Sequence, residues 1–119
     1  MHGLGELEAA VMDVLWRAHA PLSVRAVLTE INQSRTLAYT TVMTVLDNLH
    51  RKEWVQRERS GRAYQYRPSE TREEAAARAL REMLAETGDP DGVLLHFARS
   101  ASDHESTILH RALRERHRS

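Results

Sequence analysis

The chain has 119 residues, 41% of them hydrophobic and 29% charged, which is room for one domain or for one small domain with an appendage. It has no cysteine, which excludes a disulfide scaffold, thiol catalysis and every cysteine-based metal site. No apolar run approaches the ~20 residues of a membrane span. The opening residues 1–6 lack both a basic and a long apolar segment, so a cytoplasmic chain with no membrane insertion is expected.

Leu4, Leu7, Val11, Val14, Leu15 and Ala18 recur at three- and four-residue steps and predict an amphipathic helix from about Glu6 to His19. Glu6 and Glu8 fall in its first turn, where the helix dipole favours acids. Pro21 breaks the pattern. Ser23 then reads as the N-cap of a short second helix, with Val24, Val27, Leu28 and Ile31 as its apolar stripe. Gln33–Thr36 is a polar turn.

A third helix is predicted from about Ala38 to Lys52. Ala38, Val42, Val45, Leu46 and Leu49 form its inner side. Thr40, Thr44, Asp47 and Arg51 form its outer side, flanked by Thr41 and Asn48. Residues with β-branches on both faces are not chosen for helix propensity, so the outer threonines call for a functional reason. Two alternating segments follow, Val55–Arg59 and Ala63–Arg67, joined through Ser60-Gly61-Arg62. They predict a β-hairpin whose turn is basic on both sides.

Thr71-Arg72-Glu73-Glu74 fits a capping box and opens a helix to about Glu86. Residues 88–92, Gly-Asp-Pro-Asp-Gly, read as a breaker, followed by a short helix from about Val93 to Arg99. Ser102-Asp103-His104-Glu105 is a second capping box, opening a last helix striped by Ile108, Leu109, Ala112 and Leu113. The charged tail from Arg114 is expected to fray.

The fold class is therefore mainly α with a small β-hairpin, a winged helix-turn-helix over residues 1–69 followed by a helical dimerisation domain over 70–119. Three narrow apolar stripes in the last third cannot bury one another efficiently, and a second copy would cover them.

Charge supports this reading. Net charge is zero, but residues 33–67 carry +4 between flanks of −2 each. A polyanion is steered by such local charge rather than by the total. In a helix-turn-helix the second helix enters the major groove. Tyr39, Thr40, Thr41 and Thr44 would face bases there, because a threonine offers both a hydroxyl and a methyl to a base edge. Asn48, Arg51 and Lys52 suit the DNA backbone, and Arg59 and Arg62 on the wing suit phosphates. Asp47 is a misfit on that face. The plainer alternatives are a solvated helix face and an ordinary charged turn.

His104, His110 and His117 lack the i, i+4 spacing that grips a metal on one helical face, so no metal or cofactor is expected. No phosphate loop, nucleophile elbow or zinc-protease motif is present, so no enzyme is expected. Trp16 and Trp54 read as packing residues.

Three segments, Gly5–Trp16, Leu37–Leu46 and Gly61–Tyr66, resemble the penicillinase repressor family, BlaI/MecI. The resemblance covers essentially the whole chain. It implies a homodimeric winged-helix repressor of β-lactam resistance or related operons, binding an inverted repeat of TACA/TGTA half-sites. It also implies that Thr40, Thr41 and Thr44 lie on the recognition helix and that residues 70–119 dimerise. Induction in that family by an inducing protease, within a membrane sensor pathway, cuts an Asn-Phe bond. The matching bond here is His96-Phe97, with His in place of Asn. Two other readings compete: a winged-helix protein-interaction module, and a ligand- or metal-responsive regulator.

Overall fold

A computed structural model describes residues 1–118. The order of elements is α1 (Glu6–Arg17), β1 (Leu22–Ser23), α2 (Val24–Ile31), α3 (Tyr39–Arg51), β2 (Val55–Ser60), β3 (Ala63–Pro68), α4 (Arg72–Glu86), α5 (Pro90–Ser100) and α6 (Asp103–Arg118). The chain divides into two compact units, one over Met1–Ala79 and a second from Leu80 onward. Among the described residues no helix is long and apolar enough to cross a membrane.

The first unit is built largely on the predicted stripes, which Met12 joins, whereas Ala38, expected on the inner side of α3, is its exposed N-cap. Val11, Met12, Val14 and Leu15 of α1, Val24, Val27 and Ile31 of α2, and Val42, Val45, Leu46 and Leu49 of α3 are all buried. Trp54, Val55 and Tyr66 from the sheet close the same core, and Ala75 of α4 joins it. Ser23 caps α2, its hydroxyl accepting from the Ala26 amide at 3.1 Å.

The sheet is antiparallel in the order β1-β3-β2. The hairpin is the predicted one, with Ser60 opposite Ala63 and a Gly61-Arg62 turn between them. Gly61 has φ 65°, the positive value that the first position of a type II′ turn requires. The sequence reading missed β1, in which Leu22 and Ser23 pair with Tyr66 and Gln65. Two residues carry no alternation to detect.

Three helix limits differ from expectation. α1 ends at Arg17 rather than His19, and Ala18 caps it in an extended conformation. α5 begins at Pro90, inside the expected breaker. Asp89 caps it by accepting from the Gly92 amide at 3.1 Å, and proline at the first turn loses no hydrogen bond. α6 runs on to Arg118 instead of fraying from Arg114. Both predicted capping boxes form, at Thr71/Glu74 and at Ser102/Glu105.

α3 ends in a Schellman motif. The Trp54 amide donates to the Leu49 carbonyl at 2.9 Å and the Glu53 amide to the His50 carbonyl at 3.0 Å. This requires a left-handed residue, and Glu53 takes it at φ 67° where glycine would be unstrained. Glu53→Gly is expected to raise stability by roughly 0.5–1 kcal/mol, the strain relieved exceeding the chain entropy added. Urea unfolding measures it, and an unchanged or lower midpoint would contradict the strain.

Glu8 joins the start of α1 to the end of α3. Its carboxylate accepts from the Gly5 amide at 2.9 Å and from the Lys52 ammonium at 2.8 Å. Burial pushes the Glu8 carboxyl up, but the Gly5 hydrogen bond and the Lys52 hydrogen bond and charge outweigh it and hold it below the usual value. A carboxyl depressed on folding gives stability that is present above its unfolded value and is lost as pH falls through its folded value. The chain should therefore destabilise on acidification below about 4.5, the ordinary carboxyl value. Glu8→Gln should flatten that part of the profile in thermal unfolding across pH 2–6 (roughly the span over which depressed carboxylates protonate). An unaltered slope would remove Glu8 from the account.

Candidate nucleic-acid interface

Burial of Val42, Val45, Leu46 and Leu49 fixes the rotation of α3 about its axis. The opposite face then points outward. Tyr39, Thr40, Met43, Thr44, Asp47 and Arg51 are exposed, and Thr41 and Asn48 are half-buried at its margins. The turn into this helix is held by Asn32, whose side chain accepts from the Leu37 amide at 2.8 Å and donates to the Leu37 carbonyl at 3.1 Å.

The outer side chains are not all free. The Thr44 hydroxyl donates to the Thr40 carbonyl at 2.9 Å, one turn back in the same helix. Its methyl and an acceptor lone pair remain. The Arg51 guanidinium donates to the Asn48 side-chain oxygen, tying together the two residues expected on the DNA backbone. Lys52, also expected on phosphate, is drawn back to Glu8 on α1. It lies beside the interface rather than at its centre.

Asp47 finds its reason in the hairpin. Its carboxylate accepts from Arg57 of β2 at 3.1 Å. The Arg57 guanidinium lies 4.2 Å from the centre of the Tyr64 ring. Hydrogen bonding with Tyr66 raises the Arg57 value further, opposed by burial and aided by the charges of Tyr66, Tyr64 and Asp47. The wing is thus tied to α3 through a cation held on several sides, and the acid on the outer face is neutralised.

Arg59 and Arg62 stand exposed on the wing, Arg59 at 5.6 Å from the same Tyr64 ring. Arg25, near the start of α2, lies 5.4 Å from the Tyr39 ring. Together these elements frame a cleft of about 580 Å³ whose lining includes Arg25, Tyr39, Met43, Asp47, Arg57, Arg62 and Tyr64. Sequence reading had singled out Tyr39 and Arg62 of this set. It missed Arg25, Arg57 and Met43. The available signal was weak: a basic residue on the helix preceding the turn, and an apolar residue at the fourth position after Tyr39. Chemically, the surface offers guanidinium groups at its rim and short, largely apolar side chains at its centre.

The second unit presents a different surface. No residue of α5 or α6 is buried. Leu80 and Met83 of α4, Leu94, Leu95 and Phe97 of α5, and Ile108, Leu109 and Leu113 of α6 are all exposed. His96 and Phe97 both sit inside α5, so the bond between them is helical.

Comparison with known proteins agrees with this architecture. Residues 4–115 match the family model described as "Penicillinase repressor". The chain is 42% identical over 115 residues to proteins named "Transcriptional regulator BlaI" from two Mycobacterium tuberculosis strains, CDC 1551 / Oshkosh and H37Rv. The match covers 94% of this chain and 83% of the relative. The solution structure of the DNA-binding domain of the repressor BlaI superposes with a TM-score of 0.53 at 25% identity, over 60% of this chain and 90% of that one. A MarR family protein from Bacillus stearothermophilus shares the fold at 20% identity, with a TM-score of 0.53 over 98% of this chain and 75% of the other.

Proposed function

The chain belongs to the penicillinase repressor family, and from that premise we propose that it is a homodimeric, sequence-specific repressor acting on an inverted-repeat operator. It is a DNA-binding transcriptional regulator by family and not an enzyme. The observation that carries the finer reading is the outer face of α3, where Thr40 and Thr44 are exposed and where Tyr39 and Met43 share a cleft with Arg62 of the wing and Arg25 of α2. Thr40, Thr41 and Thr44 choose sequence, with Tyr39 beside them. Asn48, Arg51, Arg59 and Arg62 hold the DNA backbone. Lys52, its charge offset by Glu8 while the two are paired, reaches a phosphate only by leaving that carboxylate. Operators of β-lactam resistance or related genes are the proposed targets, and the cytoplasm the place of action.

The dimer rests on the exposed leucines and Phe97 of the second unit. An apolar surface shared by three helices is costly in water and is covered when two copies meet about a twofold axis. Two recognition helices would then meet half-sites about one helical turn apart. For induction we place the cleavage at His96-Phe97. Since that bond lies within α5, a protease acts only after the helix opens locally.

Fluorescence anisotropy on a duplex carrying a TACA/TGTA inverted repeat, beside a scrambled duplex, tests the whole reading across a salt series. A preference of about a thousandfold for the repeat is expected. Arg62→Ala should weaken both duplexes alike and lower the salt slope by about one unit per subunit. Thr44→Ala should cost on the order of 1 kcal/mol of discrimination with little loss on scrambled DNA. Equal, weak binding to both duplexes by the unaltered chain would refute the repressor. In sedimentation velocity the chain should run as a dimer, and Leu109→Asp should weaken the association by at least about tenfold. A chain that sediments as a monomer at micromolar concentration would refute the dimer.

A further inference from the structure

Several hydrogen-bonding groups on the outer face of α3 are already committed within the chain. The Thr44 hydroxyl proton is committed to the Thr40 carbonyl, Asp47 to Arg57, and the Asn48 oxygen to Arg51. Beside the Thr40 and Thr41 hydroxyls, apolar side chain remains on that face. Thr44 is exposed next to Met43 in the chain, and Met43 is 39% exposed although unbranched methionine normally packs inside. Met43 lines the cleft between α3 and the wing, with Arg25, Arg57 and Arg62 around it. An uncovered thioether ringed by guanidinium groups suits a partner that is anionic at its rim and apolar at the contact. Duplex DNA offers that combination at one place in the major groove, where phosphates flank the C5 methyl of thymine.

We propose that Met43 is a base-reading residue. Together with the Thr44 methyl it packs on thymine methyl groups, so that the chain recognises thymine by apolar contact as well as by hydrogen bonding. The proposal rests on the repressor reading above and extends it to a residue and to a mode of readout. It also gives Asp47 and Arg57 a positioning role, because their pairing joins α3 to the wing across the cleft that Met43 lines.

The test replaces each thymine of the TACA/TGTA half-sites in turn by deoxyuridine, which differs only by the missing methyl, and measures anisotropy with the full chain. At one or more positions the unaltered protein should bind the uracil duplex about fourfold more weakly, the factor for leaving one methyl group unburied. Met43→Ala should show a smaller difference between thymine and uracil duplexes at that position. Met43→Leu, which keeps apolar volume, should restore the difference, and Met43→Gln, of similar length but polar, should not. Because Met43 lies outside the buried core, all three variants should unfold at the urea midpoint of the unaltered chain, which separates readout from folding. Equal binding of thymine and uracil duplexes at every position by the unaltered protein would overturn the proposal alone. So would a uracil effect that persists undiminished in Met43→Ala. Absence of any preference for the repeat over the scrambled duplex would overturn the repressor reading together with this one.

Discussion

α3 has thirteen residues and faces two environments at once. Val42, Leu46 and Leu49 are completely buried, and each such side chain contributes about 1.5–3 kcal/mol relative to exposure. That inner row sets the helix rotation. Which positions form the outer row follows, because successive residues turn by a fixed angle and none of them can be turned inward without turning an inner one out. The same constraint governs the ends. Asn32 grips Leu37 to define where α3 starts, and Glu53 accepts a left-handed conformation to define where it stops. Trp54 then turns directly from the helix into the core and leads into β2. The wing inherits its position from the end of α3.

Electrostatics refine this frame. Counted from the sequence, the middle third is strongly basic, yet several of its cations are already engaged. Arg35 is paired with Glu6, Lys52 with Glu8 and Arg57 with Asp47. These exposed pairs add little stability each. Their effect is geometric: they bind α1, α3 and the wing together and hold long side chains in place. Arg59 and Arg62 lie nearer the hairpin tip and pair with no carboxylate among the described residues. A guanidinium already resting near an aromatic ring, as Arg59 rests near Tyr64, loses less freedom on meeting a phosphate.

Much of this was legible in the sequence, and the parts that were not share a cause. Helical stripes, the Ser23 cap, both capping boxes and the hairpin depend on residues within a few positions of each other, where period and spacing are informative. The Asp47–Arg57 and Glu8–Lys52 pairs join residues 10 and 44 positions apart. Asp47 therefore looked misplaced on a DNA-facing helix, and Lys52 looked free. β1 escaped because two residues cannot display alternation. The start of α5 was misread because proline and glycine were weighed as breakers, although proline at a first turn after a capping aspartate favours a helix. On the outer face of α3, the composition showed the threonines but not that one hydroxyl was committed to the helix itself.

The two units set different thermodynamic demands. The first buries its apolar side chains within one chain, so its stability is independent of concentration. The second leaves leucines on α5 and α6 exposed and buries none of the residues of those helices. On the dimeric reading, its order is linked to association by mass action, and dilution weakens folding and pairing together. DNA binding follows the same linkage. One recognition helix and one wing reach few phosphates, and joining two of them through a dimer makes the second half-site encounter intramolecular. Occupancy of an inverted repeat then depends steeply on the amount of intact second unit. Cutting α5 would act through that dependence, lowering affinity for the operator without touching a residue of the DNA-facing surface.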